Sequence, residues 1–128
     1  MKQKSGSKTK TAKTVRKAEG KTRAVRKAEE PSPSQEHLEI LVSDEYELTR
    51  PIPIRAYRYE DGTVVVRCDD LNLYAQGYSD HDARREFSRI LVDELEDLES
   101  DVREGRALGR AMQIQLSLLR RLLRRIEG

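Results

Sequence analysis

The 128-residue chain has room for one domain with tails, and its charged residues, at 38%, outnumber its apolar residues, at 36%. Its single cysteine, Cys68, excludes an intramolecular disulfide, and no apolar run approaches the roughly 18 residues that a membrane-spanning helix needs. The basic N-terminus is not followed by an apolar segment, so no secretory signal is evident and we expect a cytoplasmic protein.

The net charge of +2 is an average over three segments of different sign. Residues 1–30 hold eleven Lys and Arg against three Glu, which gives +8. Residues 31–105 hold eight Arg against nineteen Asp and Glu, which gives −11, and the remaining residues hold six Arg against one Glu, which gives +5. This division predicts three parts, namely a basic arm over residues 1–34, a core over 35–104 and a basic helix over 105–128.

The arm is almost wholly polar, and it contains the sequence VRKAE at residues 15–19 and again at 25–29. Because it cannot bury enough apolar surface to offset the entropy of ordering, we expect it to be disordered. Its cations can hold RNA or DNA by the phosphates without sequence preference, or can contact the acidic core instead. The candidate nucleic-acid-binding residues are Lys13, Arg16, Lys17, Lys21, Arg23, Arg26 and Lys27.

Period-two alternation predicts a strand over residues 37–42, and residues 46–48 extend it after a break. Three more strands are predicted over 52–59, 63–68 and 71–78, with Asp61-Gly62 as a strong hairpin signal between the first two. Pro51 and Pro53 favour an edge position for the 52–59 strand. Alternate residues of the three strands are apolar: Ile52, Ile54, Ala56, Val64, Val66, Cys68, Leu71, Leu73 and Ala75.

A helix that follows these strands is predicted to cover their apolar face. Ser79 is a natural N-cap, and Asp80 and Asp82 suit the positive end of the helix dipole. Its apolar stripe is interrupted by Glu94 alone and contains Ala83, Phe87, Ile90, Leu91, Leu98 and Val102, with Leu95 alongside. The fold class is therefore α+β, with a small antiparallel sheet of three to four strands (β-β-β-α) under one amphipathic helix. Residues 37–42 are expected to join the sheet, and no strand-like segment is evident after the helix.

A second amphipathic helix is predicted over residues 107–126, separate from the core. Its stripe contains Leu108, Met112, Leu119, Leu122, Leu123 and Ile126, widened by Ile114, Leu116 and Leu118. Because the first helix already covers the sheet, this stripe needs another partner, and we expect a homo-oligomer. Binding to a membrane surface is the competing use of the same stripe.

Catalytic and metal sites are not indicated. His37 and His81 are the only histidines, and neither has a second ligand at metal-binding spacing. Cys68 falls between aliphatic positions, which favours an inert buried thiol, and Asp69-Asp70 is best explained as a turn that ends a strand. We therefore expect no enzymatic activity, no cofactor and no metal.

The second face of the sheet is unusual because it carries tyrosine and arginine. The candidate partner-binding residues are Arg55, Tyr57, Tyr59, Arg67, Tyr74 and Tyr78. These are ordinary surface residues of a sheet, yet tyrosine and arginine are also the residues enriched at binding hot spots. Stacking of bases on the tyrosines is a third reading. The acidic surroundings disfavour a nucleic acid and favour a basic protein partner.

One run of residues carries a family resemblance. Gln76-Gly77-x-Ser79 is followed by Ala83 in an amphipathic helix, and an Asp-Gly hairpin and an Asp-Leu step precede it. Over residues 52–98 this pattern resembles the HicB-like antitoxin domain, which has a partial ribonuclease-H-like fold. The chain differs from the family in two places. It has Asn72-Leu73-Tyr74 in place of a Pro-Gly-Cys stretch, and one basic helix in place of a C-terminal DNA-binding module.

The resemblance implies a non-catalytic domain of a toxin–antitoxin system. Such domains typically neutralise a small basic toxin that cleaves mRNA, and they often repress their own operon. The acidic core agrees with the first role, whereas the absence of the DNA-binding module weakens the second. The function expected is protein binding, with a basic toxin as partner. The alternative is a nucleic-acid-associated accessory protein that binds through its basic arm and C-terminal helix.

Overall fold

A computed structural model of the chain describes residues 31–127. Of the predicted disordered arm over residues 1–34, residues 1–30 lie outside the described residues, and so do the predicted nucleic-acid-binding residues. The predicted end of the arm is wrong at Ser34, which begins a strand. In chain order the elements are β1 (Ser34–Leu38), β2 (Tyr46–Leu48), β3 (Ile52–Arg58), β4 (Val64–Cys68), β5 (Leu73–Gly77), α1 (Asp80–Arg103), α2 (Arg110–Leu122) and β6 (Leu123–Arg125).

Four strands form one antiparallel sheet in the order β1-β3-β4-β5, which confirms the predicted α+β fold class. The Asp-Gly hairpin joins β3 to β4. At its turn the Tyr59 N–H donates to the Thr63 carbonyl at 2.9 Å, and Gly62 has a φ of +96°, a value that favours glycine. The turn thus sets the register of β3 and β4, because the register of a hairpin depends on its turn type and loop length.

The helix α1 covers the apolar face of this sheet, as its sequence predicts. Phe87 and Leu91 are fully buried and belong to the same apolar cluster as Ile54 and Val66. The Ser79 hydroxyl accepts a hydrogen bond from the Asp82 N–H at 3.1 Å, so the N-cap is formed. The core is therefore a two-layer structure in which one helix lies on one sheet.

The junction between β5 and α1 explains why glycine occupies position 77. A Cβ atom on Gly77 would lie 2.7 Å from the Asp82 carbonyl carbon, and the Ala83 nitrogen would be closer still. Ala83, which is fully buried, is the residue of α1 that sits over this strand end. The Gln-Gly-x-Ser-x-x-x-Ala run thus has a structural role, because Gly77 lets the first helical turn approach the sheet and Ser79 caps that turn.

The first strand joins the sheet, but it comprises residues 34–38 and not the predicted 37–42. After Leu38 the chain leaves the sheet and runs along α1, where the Val42 N–H donates to the buried Ser88 hydroxyl at 3.1 Å. Leu41 is buried there, whereas Ile40 is 75% exposed. The alternation in residues 37–42 therefore does not indicate a strand over its whole length. Beyond Leu38 the chain is outside the sheet, and the Val42 N–H bonds to a helix side chain and not to a neighbouring strand.

The expected edge position of the 52–59 strand is also wrong, because β3 lies between β1 and β4. Pro53 pairs with His37 one position from the end of the β1–β3 ladder, whose last pair is Leu38 with Ile52. A proline lacks the N–H that a ladder needs, and near the end of a ladder this loss is tolerated.

Four charged side chains tie β1 and β3 to the start of α1. Arg58 contacts Glu36 through Nη1 at 2.8 Å and Asp80 through Nε at 3.1 Å. Arg84 contacts Glu36 at 2.5 Å. Hydrogen bonds from Arg58 are the main cause that lowers the pKa of Glu36 to about 2. This network holds the N-terminal strand on the sheet from the helix side.

The C-terminal helix packs on the core of its own chain, contrary to the expectation that the core offers it limited room and that it needs another partner. Leu116, Leu119 and Leu122 are buried in the same apolar cluster as Phe87. The helix ends at Leu122 and not at residue 126, because Leu123–Arg125 forms the strand β6. The expectation that no strand follows the helix is therefore wrong.

The strand β6 pairs with β2 in a second, two-stranded antiparallel sheet. Glu47 lies opposite Arg124, and their side chains form an ion pair at 2.6 Å. The Arg125 guanidinium lies over the Tyr46 ring, 5.0 Å from its centroid. Residues 46–48 therefore do not extend the first strand. They form β2, which pairs with the C-terminal strand β6.

Candidate protein-binding face

The face of the four-stranded sheet that points away from α1 carries a regular set of side chains. Antiparallel partners share a face, so the register places Arg55, Arg67 and Tyr74 in one row across the strands. The next row contains Tyr57, Val65 and Gln76. We call these six residues the open face. Because both helices pack on the other side, no helix of residues 31–127 covers it.

The two arginines of the open face share one carboxylate. Arg55 Nη2 lies 2.6 Å from Asp69 Oδ2, and Arg67 Nε lies 3.2 Å from Asp69 Oδ1. The hydrogen bond from Arg55 is the main cause that lowers the pKa of Asp69, and Asp69 raises the pKa of Arg55. The group therefore holds two guanidinium charges against one carboxylate. Arg55 Nε is buried and lacks a hydrogen-bond partner within the described residues.

Asp69 is a residue of this face that the sequence interpretation missed, since it was assigned only to a turn. Its spacing from Arg67 in the sequence predicts that it lies on this face. Asp69 follows Arg67 by two residues at the end of β4, so it continues the same side of the strand. An acid at this spacing can reach the arginine before it and an arginine on the neighbouring strand, which is the arrangement observed.

The tyrosines of the candidate set occupy two places. Tyr57 and Tyr74 lie within the open face, and Tyr74 is 47% exposed. Tyr59 and Tyr78 lie just beyond β3 and β5 at the same end of the sheet, where the Arg58–Val64–Gly77 row ends. Tyr78 is 86% exposed. The structure thus gathers four of the six predicted residues on one face and puts the other two at its border.

The acidic surface lies elsewhere on the molecule. Asp93, Glu96 and Asp97 lie on the outer side of α1, so they point away from the sheet and its open face. Burial, followed by the negative charges of Asp93 and Asp101, raises the pKa of Asp97. The acidic residues of α1 and the open face are therefore two separate surfaces.

The predicted oligomerisation residues do not form one exposed stripe. Leu119, Leu122 and Leu123 are buried within their own chain, so they are not available to a second copy. Leu108 is half-buried, and Met112 and Ile126 are exposed, at 45% and 41%. Association through the exposed residues stays a prediction, but the stripe on which it rested is used for intramolecular packing.

The cysteine and the two histidines, which were considered as catalytic or metal-binding residues, lie on different elements. Cys68 is buried, and burial is the main cause that raises the pKa of its thiol. His37 and His81 are exposed on β1 and on the first turn of α1. No cluster of three or more histidine, cysteine or acidic side chains suited to a metal ion occurs among residues 31–127. In the same part of the chain, no helix is long and apolar enough to cross a membrane.

Comparison with known proteins adds no family assignment: no family model, curated protein or solved structure matches the chain. The HicB-like resemblance accordingly stays a prediction that depends on the residues between positions 52 and 98.

Proposed function

We propose that this chain is a non-catalytic protein-binding domain that neutralises a small basic, RNA-cleaving toxin through its open face. The observation that carries the proposal is the uncovered row of Arg55, Arg67 and Tyr74 with Tyr57 beside it. Arginine and tyrosine dominate binding hot spots because they combine large contact area with fixed hydrogen-bond geometry. A sheet supports them rigidly, which lowers the entropy lost when a partner binds.

The acidic outer side of α1 supports a basic partner in a different way. Residues 31–105 carry a net charge of −11, so a basic protein is attracted to the core from a distance. Long-range attraction raises the association rate, whereas short-range contacts on the open face determine the dissociation rate. The two surfaces can therefore serve one partner without lying side by side.

The alternative, a nucleic-acid-associated accessory protein, receives less support from the C-terminal segment than its charge suggests. Arg120 contacts Glu99 at 2.9 Å and Arg124 contacts Glu47 at 2.6 Å. Arg125 stacks on Tyr46. Cations already paired within the chain gain less from phosphate contacts, so this alternative rests mainly on the arm. Its signature would be an affinity for RNA or DNA that falls steeply with salt.

The proposal is tested by co-expressing the full chain with the protein encoded by the adjacent gene. If that protein is a toxin, growth should arrest without the chain and recover with it. The double variant Tyr57→Ser, Tyr74→Ser should fail to restore growth. Loss of two hot-spot side chains costs at least about 2 kcal/mol of binding, or roughly thirtyfold in affinity.

Ile114→Ser is the matched control, because Ile114 is an exposed apolar residue on α2, away from the sheet. It should restore growth as the wild type does. Equal thermal unfolding of both variants excludes misfolding as the cause. Full recovery with the double tyrosine variant would show that the open face is not the binding surface.

A further inference from the structure

Arg67 is the best-placed residue of the open face for contact with a partner. It lies in the central strand β4, with Arg55 opposite on one side and Tyr74 opposite on the other. Directly opposed residues on one face have Cβ atoms about 5 Å apart, so Arg67 and Tyr74 are near neighbours on the open face. Asp69 contacts Arg67 at 3.2 Å. The guanidinium is therefore held by a carboxylate, and a tyrosine occupies the opposite position of the neighbouring strand.

This arrangement leaves the outer edge of the Arg67 guanidinium for an acceptor outside residues 31–127. Asp69 contacts its Nε atom, and 50% of the side chain is exposed. An arginine has five N–H donors in a planar fork, and its two terminal nitrogens together match the two oxygens of a carboxylate. Since Asp69 also pairs with Arg55, it neutralises only one of the two guanidinium charges.

We propose that the open face binds an acidic segment of its protein partner, with an aspartate or glutamate carboxylate of that segment paired to the outer edge of Arg67. Tyr74 and Tyr57 contact the apolar side chains on either side of that carboxylate. This inference rests on the proposed protein-binding role of the same face and specifies its chemistry. A partner that is basic as a whole would thus offer a local acidic segment at this point.

The charges near the site favour a single carboxylate over a nucleic-acid backbone. Asp69 and Asp70 are exposed just after β4, and of these two acids only Asp69 pairs with Arg55 and Arg67 within residues 31–127. A backbone brings a row of phosphates past these acids and into the field of a core with net charge −11. One carboxylate flanked by apolar residues carries a single charge, so it can pair with the guanidinium that Asp69 leaves uncompensated and meets less of this repulsion than a row of phosphates does.

Titration of the isotope-labelled full chain by NMR tests the proposal. The probe is a blocked pentapeptide of alternating glutamate and valine, and its glutamine–valine analogue is the neutral control. Because the basic arm can bind any polyanion, the measured signals are local, namely the Arg67 Nε–H and the Tyr74 ring resonances. An oligothymidylate provides the nucleic-acid comparison at the same salt concentration.

The glutamate peptide should shift both signals in a saturable manner, and the glutamine peptide should leave them in place. Arg67→Gln should weaken the binding reported by Tyr74 about tenfold or more. The control Arg103→Gln removes the same charge from an exposed residue at the end of α1 and should change that affinity less than about twofold.

Two results would overturn the inference. One is the absence of a shift at Arg67 and Tyr74 at millimolar glutamate peptide. The other is tighter binding of the oligothymidylate at the same two residues, which would indicate a nucleic-acid surface. The growth assay separates this inference from the proposed function: recovery of growth by Arg67→Gln to the wild-type level would reject the carboxylate contact and leave toxin neutralisation in place.

Discussion

Replacement of Gly77 by alanine tests the contact that joins the sheet to its helix. The added Cβ would lie 2.7 Å from the Asp82 carbonyl carbon and 2.8 Å from the Asp82 Cβ. Carbon atoms in contact prefer about 3.5–4.0 Å, so the atoms must separate by roughly 1 Å. The nearest atoms belong to the backbone of the first helical turn, and therefore no side-chain rotation can relieve the clash.

The expected loss of stability has two parts. Overpacking of a well-filled site costs about 1–3 kcal/mol. Displacement of the first turn also disturbs the hydrogen bond from the Asp82 N–H to the Ser79 hydroxyl, and loss of an N-cap costs about 1 kcal/mol. Gly77 does not have a positive φ, so backbone strain adds nothing. We expect Gly77→Ala to lower the free energy of unfolding by about 2–4 kcal/mol.

Urea unfolding followed by circular dichroism measures this difference. Gly109→Ala is the matched control, because a Cβ at Gly109 meets no atom within 4 Å. Gly109 is the N-cap of α2 and makes no side-chain cap, so the control should lose at most about 1 kcal/mol. If Gly77→Ala unfolds within about 0.5 kcal/mol of the wild type, the close approach of α1 to β5 is not as described.

Three further predictions concern the core and its charges. Phe87→Ala should cost about 3–5 kcal/mol in urea unfolding, and a cost below about 1 kcal/mol would show that Phe87 is not buried. Leu119→Ala should cost about 2–5 kcal/mol independently of protein concentration, whereas a cost that disappears on dilution would place Leu119 in an interface between copies. Glu36 has its pKa lowered to about 2 by Arg58 and Arg84, so it stabilises the fold above about pH 4.5 and this contribution is lost as the pH falls towards 2. Because Arg58 is partly exposed, we expect about 2 kcal/mol, and Glu36→Gln should abolish that part of the acid dependence in pH-dependent melting.

The parts of the fold that the sequence predicts correctly are those set by neighbouring residues. The Asp61-Gly62 turn and the alternation on both sides of it identify β3 and β4. The 3.6-residue period from Ala83 to Leu98 identifies the buried side of α1. The same parity puts Arg55, Tyr57, Arg67 and Tyr74 on one face. In each case the signal is a short-range pattern that the tertiary structure does not override.

The errors concern contacts between distant parts of the chain. The β2–β6 pairing joins Tyr46 to Arg125, and a three-residue strand rich in arginine has no periodic signal of its own. The helix pattern continues through Leu123, but pairing with Leu48 makes that residue extended. Likewise, burial of α2 on the core depends on space beside α1 that no local pattern reports.

The central claim is that the open face binds a protein partner, and hydroxyl-radical footprinting of the complex tests it most directly. The full chain is oxidised alone and when saturated with the protein of the adjacent gene. We predict that the oxidation rates of Tyr57 and Tyr74 fall severalfold in the complex, while that of Met112, which is exposed on α2, stays unchanged. A saturated complex in which Tyr74 is oxidised as fast as in the free chain would contradict the account.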